Sequence, residues 1–133
     1  SVAISRDGSS WFLLNASPEV RAQLESYPAL TPRALRHSPL AGIVLTNGDL
    51  DHTLGLLSQR ESHPLRLLTT ASIARGFREH NVLFRTLERF EGQLQLQPLK
   101  LSAGQILELR RFLHGFLQYH LGRIPPNRAA ALA

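Results

Sequence analysis

The chemistry-bearing residues of this chain gather in one short stretch, Thr46-Asn47-Gly48-Asp49-Leu50-Asp51-His52-Thr53-Leu54-Gly55, where two carboxylates and an imidazole fall within four positions. Oxygen and nitrogen donors without a thiolate suit a borderline-hard divalent cation such as Fe(II), Mn(II) or Zn(II). With Asp49, Asp51 and His52 all pointing inward, they supply most of a three-donor face on one metal ion. The same residues also suit purely structural work. Asp49 in Asn-Gly-Asp is an ordinary turn residue, and Asp51 can cap a following helix through the N–H groups of its first turn.

The elements around the stretch decide whether such donors can converge. Ala41–Thr46 (AGIVLT) is a short apolar, β-branched run that predicts a buried strand, and Asn47-Gly48-Asp49 breaks it sharply. Thr53–Gln59 predicts a short helix entered just after Asp51-His52. The donors then occupy a loop leaving the carboxyl end of a strand, where open α/β sheets place their ligands. Upstream, Val2–Ser5 and Trp11–Leu14 read as strands around the turn Arg6-Asp7-Gly8-Ser9. Ser17 is the expected N-cap of a helix running through Val20 and Leu24 toward Tyr27, with Pro18 at its first position. Residues 28–39, with three prolines, read as a loop. Downstream, Leu65–Thr69 and Gln93–Leu99 predict strands, and Ala71–Glu79 and Phe84–Phe90 predict helices. Strands with intervening helices place the chain in the α/β class. From Gln105 to Leu121 apolar residues recur at helical spacing, with Gly122 as a C-cap and Pro125-Pro126 as a stop.

The strings SVAIS, WFLLNASPEVRAQL, LRHSPLAGIVLTNGDLDHTLGLLSQRE and HNVLFRTLERFEG resemble, in order, an internal piece of the PqqB family of the metallo-β-lactamase superfamily, over residues 1–101. The superfamily pattern is HxHxDH, followed two residues on by Gly. Aligned on Asp51-His52 and Gly55, this chain has Asn47 and Asp49 where the first two histidines stand. That departure argues against a standard dinuclear zinc hydrolase and is similar to PqqB. The resemblance implies a partial metallo-β-lactamase-like fold, roughly half of an αββα sandwich, with an added C-terminal helix. It implies a role in pyrroloquinoline quinone (PQQ) biosynthesis, either iron-dependent hydroxylation of the tyrosine of the PQQ precursor peptide or PQQ transport. Asp51 and His52 would be the catalytic pair, and Asp49, Asp51 and His52 the ligands of one Fe(II) or Zn(II) ion. The family's Cys-rich zinc motif lies upstream of the first residue here. Its downstream active-site histidine has no matching motif among His63, His80, His114 and His120. The expectation is an incomplete site whose ion is weakly held or lost, in a chain truncated relative to the family and for that reason open to being inactive.

Residues 102–133 do not match PqqB. Leu109–Arg128 is faintly similar to the terminal helix of the RecO family of DNA repair proteins, and an amphipathic helix finishing the core, or a fusion, accounts for it equally. The chain has 133 residues, no Cys and no Met, and a formal charge of +5 from 15 Lys+Arg against 10 Asp+Glu. Without Cys, disulfides, thiolate metal sites and a Cys nucleophile are excluded. The missing initiator Met points to a piece of a longer protein. No apolar run is long enough to span a membrane and the start does not read as a signal peptide, so a cytoplasmic location is expected. The scattered Arg residues make nucleic acid an improbable partner. The alternative function is a non-enzymatic basic module that binds nucleic acid or a partner protein through the C-terminal helix. A sheet cut midway leaves an unpaired edge, which predicts a homo-oligomer or poor solubility. His37 reads as a loop histidine, Trp11 as a core residue, and His114 with His120 as a poor metal pair.

Overall fold

The computed structural model describes residues 1–31, 38–59, 64–89, 92 and 94–121, with the backbone alone at 116, 117, 120 and 121. His37, His63 and the Gly122 cap lie outside these residues. The chain divides into two compact units, Ser1–Leu99 and Lys100–Ala133.

The first unit is built on a five-stranded sheet, β1 (Val2–Ser5), β2 (Trp11–Leu14), β3 (Leu40–Val44), β4 (Leu65–Thr69) and β5 (Leu94–Pro98), ordered as in the sequence. β1 pairs antiparallel with β2, and the other neighbours are parallel. The β1–β2 hairpin turns at Gly8, whose φ of 72° is open to glycine at no steric cost. The Asp7 carboxylate holds the turn by accepting the N–H groups of Ser9 and Ser10, both at 2.9 Å.

Strand alternation sorts side chains between the two faces. The register aligns Ala3, Leu13, Ile43, Leu67 and Leu96 on one face. Leu13, Ile43 and Leu67 there are buried against Val20, Leu56, Phe77, Phe84 and Leu87 from the helical segments. Each such side chain contributes about 1.5–3 kcal/mol. The opposite face carries Val2, Leu14, Val44, Leu68 and Gln97, of which Val2 is exposed and Leu14, Val44 and Leu68 are half-buried.

The helices are α1 (Val20–Ser26), α2 (Leu50–Thr53), α3 (Ala71–His80) and α4 (Val82–Glu88), with tight 3-10 turns at Pro28–Leu30 and Leu54–Gln59. The expected Ser17 cap of α1 is not made. Ser17 instead pairs with Ser1, its N–H donating to the Ser1 hydroxyl at 2.9 Å, and Glu19 takes the N-cap position without a side-chain bond. Pro28–Leu30 is a helical turn within the span read as loop. α4 starts two residues before the expected Phe84 because the Asn81 side chain caps it, accepting the Leu83 N–H at 2.8 Å.

The second unit carries α5 (Ala103–Leu121). Ile106, Leu107, Leu109 and Phe112 on it are exposed. His114 is exposed as well. No helix among the described residues is long and apolar enough to cross a membrane.

Candidate metal centre

The loop between β3 and α2 is fastened at both ends. At its start Asn15, with φ of 61° just beyond β2, holds Thr46: the Thr46 N–H donates to Asn15 Oδ1 and Asn15 Nδ2 to Thr46 Oγ1, each at 2.9 Å. Asparagine tolerates that left-handed backbone better than most residues. At its far end the Ala16 N–H donates to the His52 carbonyl at 2.7 Å, and the Gly55 N–H returns a bond to the Ala16 carbonyl at 3.0 Å. In the middle Asn81 Nδ2 donates to the Gly48 carbonyl at 2.7 Å.

Inside this frame the donors sit differently from the sequence expectation. The helix begins at Leu50, with Asp49 at its N-cap, so Asp51 and His52 lie within the first helical turn and not ahead of it. Asp51 stands inside the first turn and not at the cap, and the Asp49 carboxylate at the cap makes no capping bond. The Asp49 carbonyl accepts the His52 N–H at 3.0 Å and the Thr53 hydroxyl at 2.8 Å. Both carboxylates are thereby left for other work.

Asn47 touches the imidazole. Its Oδ1 accepts the backbone N–H of Asp49 at 3.2 Å and meets Nδ1 of His52. A peptide N–H can only donate, so the atom it meets is the amide oxygen and not the NH2 group. An oxygen in turn requires a proton on Nδ1. The neutral ring therefore carries its lone pair on Nε2, which lies 3.8 Å from Asp51 Oδ2.

Asp49, Asp51 and His52 each present one ligand atom within 4.8 Å of the others, with the carboxylates exposed and the imidazole half-buried. Tetrahedral bonds of about 2.0–2.1 Å need donors about 3.3 Å apart. Rotation of the exposed carboxylates covers that difference, so the donor set fits one small divalent cation. His80 and His114 are not part of this cluster. Trp11 is half-buried and packs edge-on against Tyr27 at the opposite end of β2 from Asn15. Sequence reasoning missed the supporting roles of Asn15, Thr53 and Asn81. Only the helix-cap position of Asn81 carried a local signal.

Comparison with known proteins fits this geometry. The family described as "Beta-lactamase superfamily domain" matches residues 10–115. Coenzyme PQQ synthesis protein B of Methylobacterium sp. (strain 4-46) is 58% identical over 74 residues, covering 55% of this chain and 25% of that protein. The Stutzerimonas stutzeri protein of the same name is 44% identical over 104 residues, covering 77% and 34%. Among solved structures, Zn(2+)-bound PqqB from Methylobacterium extorquens superposes with a TM-score of 0.63 at 41% identity, over 74% of this chain and 35% of that one. A diphosphatase of the PhnP family, at 21% identity and a TM-score of 0.54, shares the fold. The chain thus spans about a quarter to a third of these curated relatives. One sheet with helices on one face is the corresponding part of a metallo-β-lactamase-like fold. The chain belongs to the beta-lactamase superfamily and, within that fold, is a relative of coenzyme PQQ synthesis protein B.

Proposed function

We propose that this chain serves PQQ biosynthesis as the part of a PqqB-like protein that carries one metal ion, Fe(II) or Zn(II), on Asp49, Asp51 and His52. The observation that carries this reading is the convergence of Asp49, Asp51 and His52, each with one ligand atom within 4.8 Å of the others and Nε2 of His52 at 3.8 Å from the Asp51 carboxylate. A site of three donors on one face keeps open coordination positions for a substrate. The zinc in the PqqB relative supports the choice of a metal over a proton as the shared cation. In the finer reading the ion is Fe(II), which would supply activation of O₂ for hydroxylation of the precursor peptide's tyrosine. The chain's own residues then hold the ion, keep the imidazole in its ligating form, and leave the exposed side of the loop open to the peptide.

Anaerobic titration of the 133-residue chain with Fe(II) and with Zn(II), followed by calorimetry, tests the proposal. One equivalent bound by wild type and none by Asp51→Ala/His52→Ala is the expected result. Binding that survives in the double variant, or is absent from wild type, overturns it.

A further inference from the structure

We infer that Asn47 is a positioning residue that sets the tautomer of His52, so that Nε2 is presented with its lone pair free. The inference deepens the metal reading above and rests on it for its purpose, but not for its geometry.

Free imidazole distributes its one proton between two nitrogens, and only the unprotonated nitrogen can ligate a metal. Asn47 Oδ1 is identified as oxygen by the Asp49 N–H that also donates to it, so Nδ1 of His52 must be the protonated nitrogen. Asn47 is five residues before His52 in the sequence, and the turn through Gly48 and Asp49 into α2 brings its amide back onto the ring. The backbone around the pair is fixed independently by Asn81 on Gly48 and by Thr53 on the Asp49 carbonyl. The amide oxygen is therefore held on the ring instead of sweeping through solvent. In the HxHxDH pattern this position holds a histidine; here an amide oxygen stands in its place, on the ring of the neighbouring histidine. Loss of such an outer partner ordinarily weakens metal affinity about 10- to 100-fold.

The test uses long-range ¹H–¹⁵N NMR of the histidine side chains in the full chain, metal-free and at mildly alkaline pH where imidazoles are neutral. Wild type should show His52 protonated on Nδ1. Asn47→Ala should move the proton largely to Nε2, and Asn47→Asp, which keeps an acceptor oxygen, should return it to Nδ1. A parallel Zn(II) titration should show at least tenfold weaker binding for Asn47→Ala. A wild-type ring protonated on Nε2, or a tautomer indifferent to Asn47→Ala, overturns the inference even if Zn(II) binds with full stoichiometry. An Nδ1 proton that depends on Asn47, in a chain that binds no Zn(II), upholds the inference and removes the metal reading. The wild-type spectrum alone decides the sign should a variant fail to fold.

Discussion

Gly55 donates its N–H to the carbonyl of Ala16 at 3.0 Å, in an approach so close that a side chain at Gly55 has nowhere to go. A Cβ there would lie 2.2 Å from the Ser17 carbonyl oxygen, 2.6 Å from Val20 Cγ1 and 2.9 Å from the Ala16 carbonyl oxygen. This contact presses the first turns after the β3–α2 loop onto the chain between β2 and α1. The glycine of the superfamily pattern thus has a steric role in this chain, distinct from ligand binding.

Gly55→Ala should therefore destabilise the fold by about 2–4 kcal/mol, since two of the three clashing atoms are backbone and cannot rotate aside. Denaturant unfolding followed by circular dichroism measures this. Gly48→Ala is the control, because nothing lies within 4 Å of a Cβ at Gly48. A Gly55→Ala midpoint matching that of Gly48→Ala would contradict the packing argument.

Much of this fold is legible in the sequence because its strands are short apolar runs bounded by turn residues. AGIVLT before Asn47-Gly48 is one such run, and the Leu/Gln alternation of Leu94–Gln97 is another. The donor set is likewise local, lying within four residues. The frame around it is not. Asn15 reaches Thr46 across 31 positions and Asn81 reaches Gly48 across 33, so neither bond has a local pattern. Ser17 shows the converse: a good cap by type, it is drawn off by Ser1, a partner 16 positions away. The C-terminal helix is legible from its apolar spacing alone, and Ile106 and Leu109 on it are exposed.

The hairpin turn carries a pH dependence of its own. Hydrogen bonds from the Ser10 and Ser9 backbone, and from the Ser9 and Ser5 side chains, hold the Asp7 carboxyl well below the usual carboxylate range. A carboxylate whose folded pKa is depressed adds stability that is complete above the ordinary Asp value of about 3.9 and fades as pH falls toward the lowered one. Asp7→Ala should accordingly be less stable than wild type at pH 7, with the difference shrinking steadily below pH about 4. Chemical denaturation at a series of pH values reads this directly. A difference that stays constant down to acid pH would mean that the carboxylate charge has no part in holding the turn.

Asn81 joins the capping of α4 to the β3–α2 loop, and the two contacts can be separated. Its Oδ1 accepts the Leu83 N–H at 2.8 Å, while its Nδ2 donates to the Gly48 carbonyl at 2.7 Å and to Thr53 Oγ1 at 3.4 Å. Asn81→Ala removes the cap and the clamp together and should cost roughly 2 kcal/mol, about half from each. Asn81→Asp keeps an oxygen to cap α4 but has no donor for Gly48, and it sets a carboxylate against that carbonyl. Both variants should weaken Zn(II) binding several-fold, because the peptide between Asn47 and Asp49 loses its tether. Only the alanine variant should also lose the cap's share of stability, leaving it the less stable of the two. Zn(II) affinity unchanged in Asn81→Asp would show that the loop holds its donors without this tether. Aspartate and alanine variants of equal stability would show that the cap is worth no more than the repulsion between the new carboxylate and the Gly48 carbonyl.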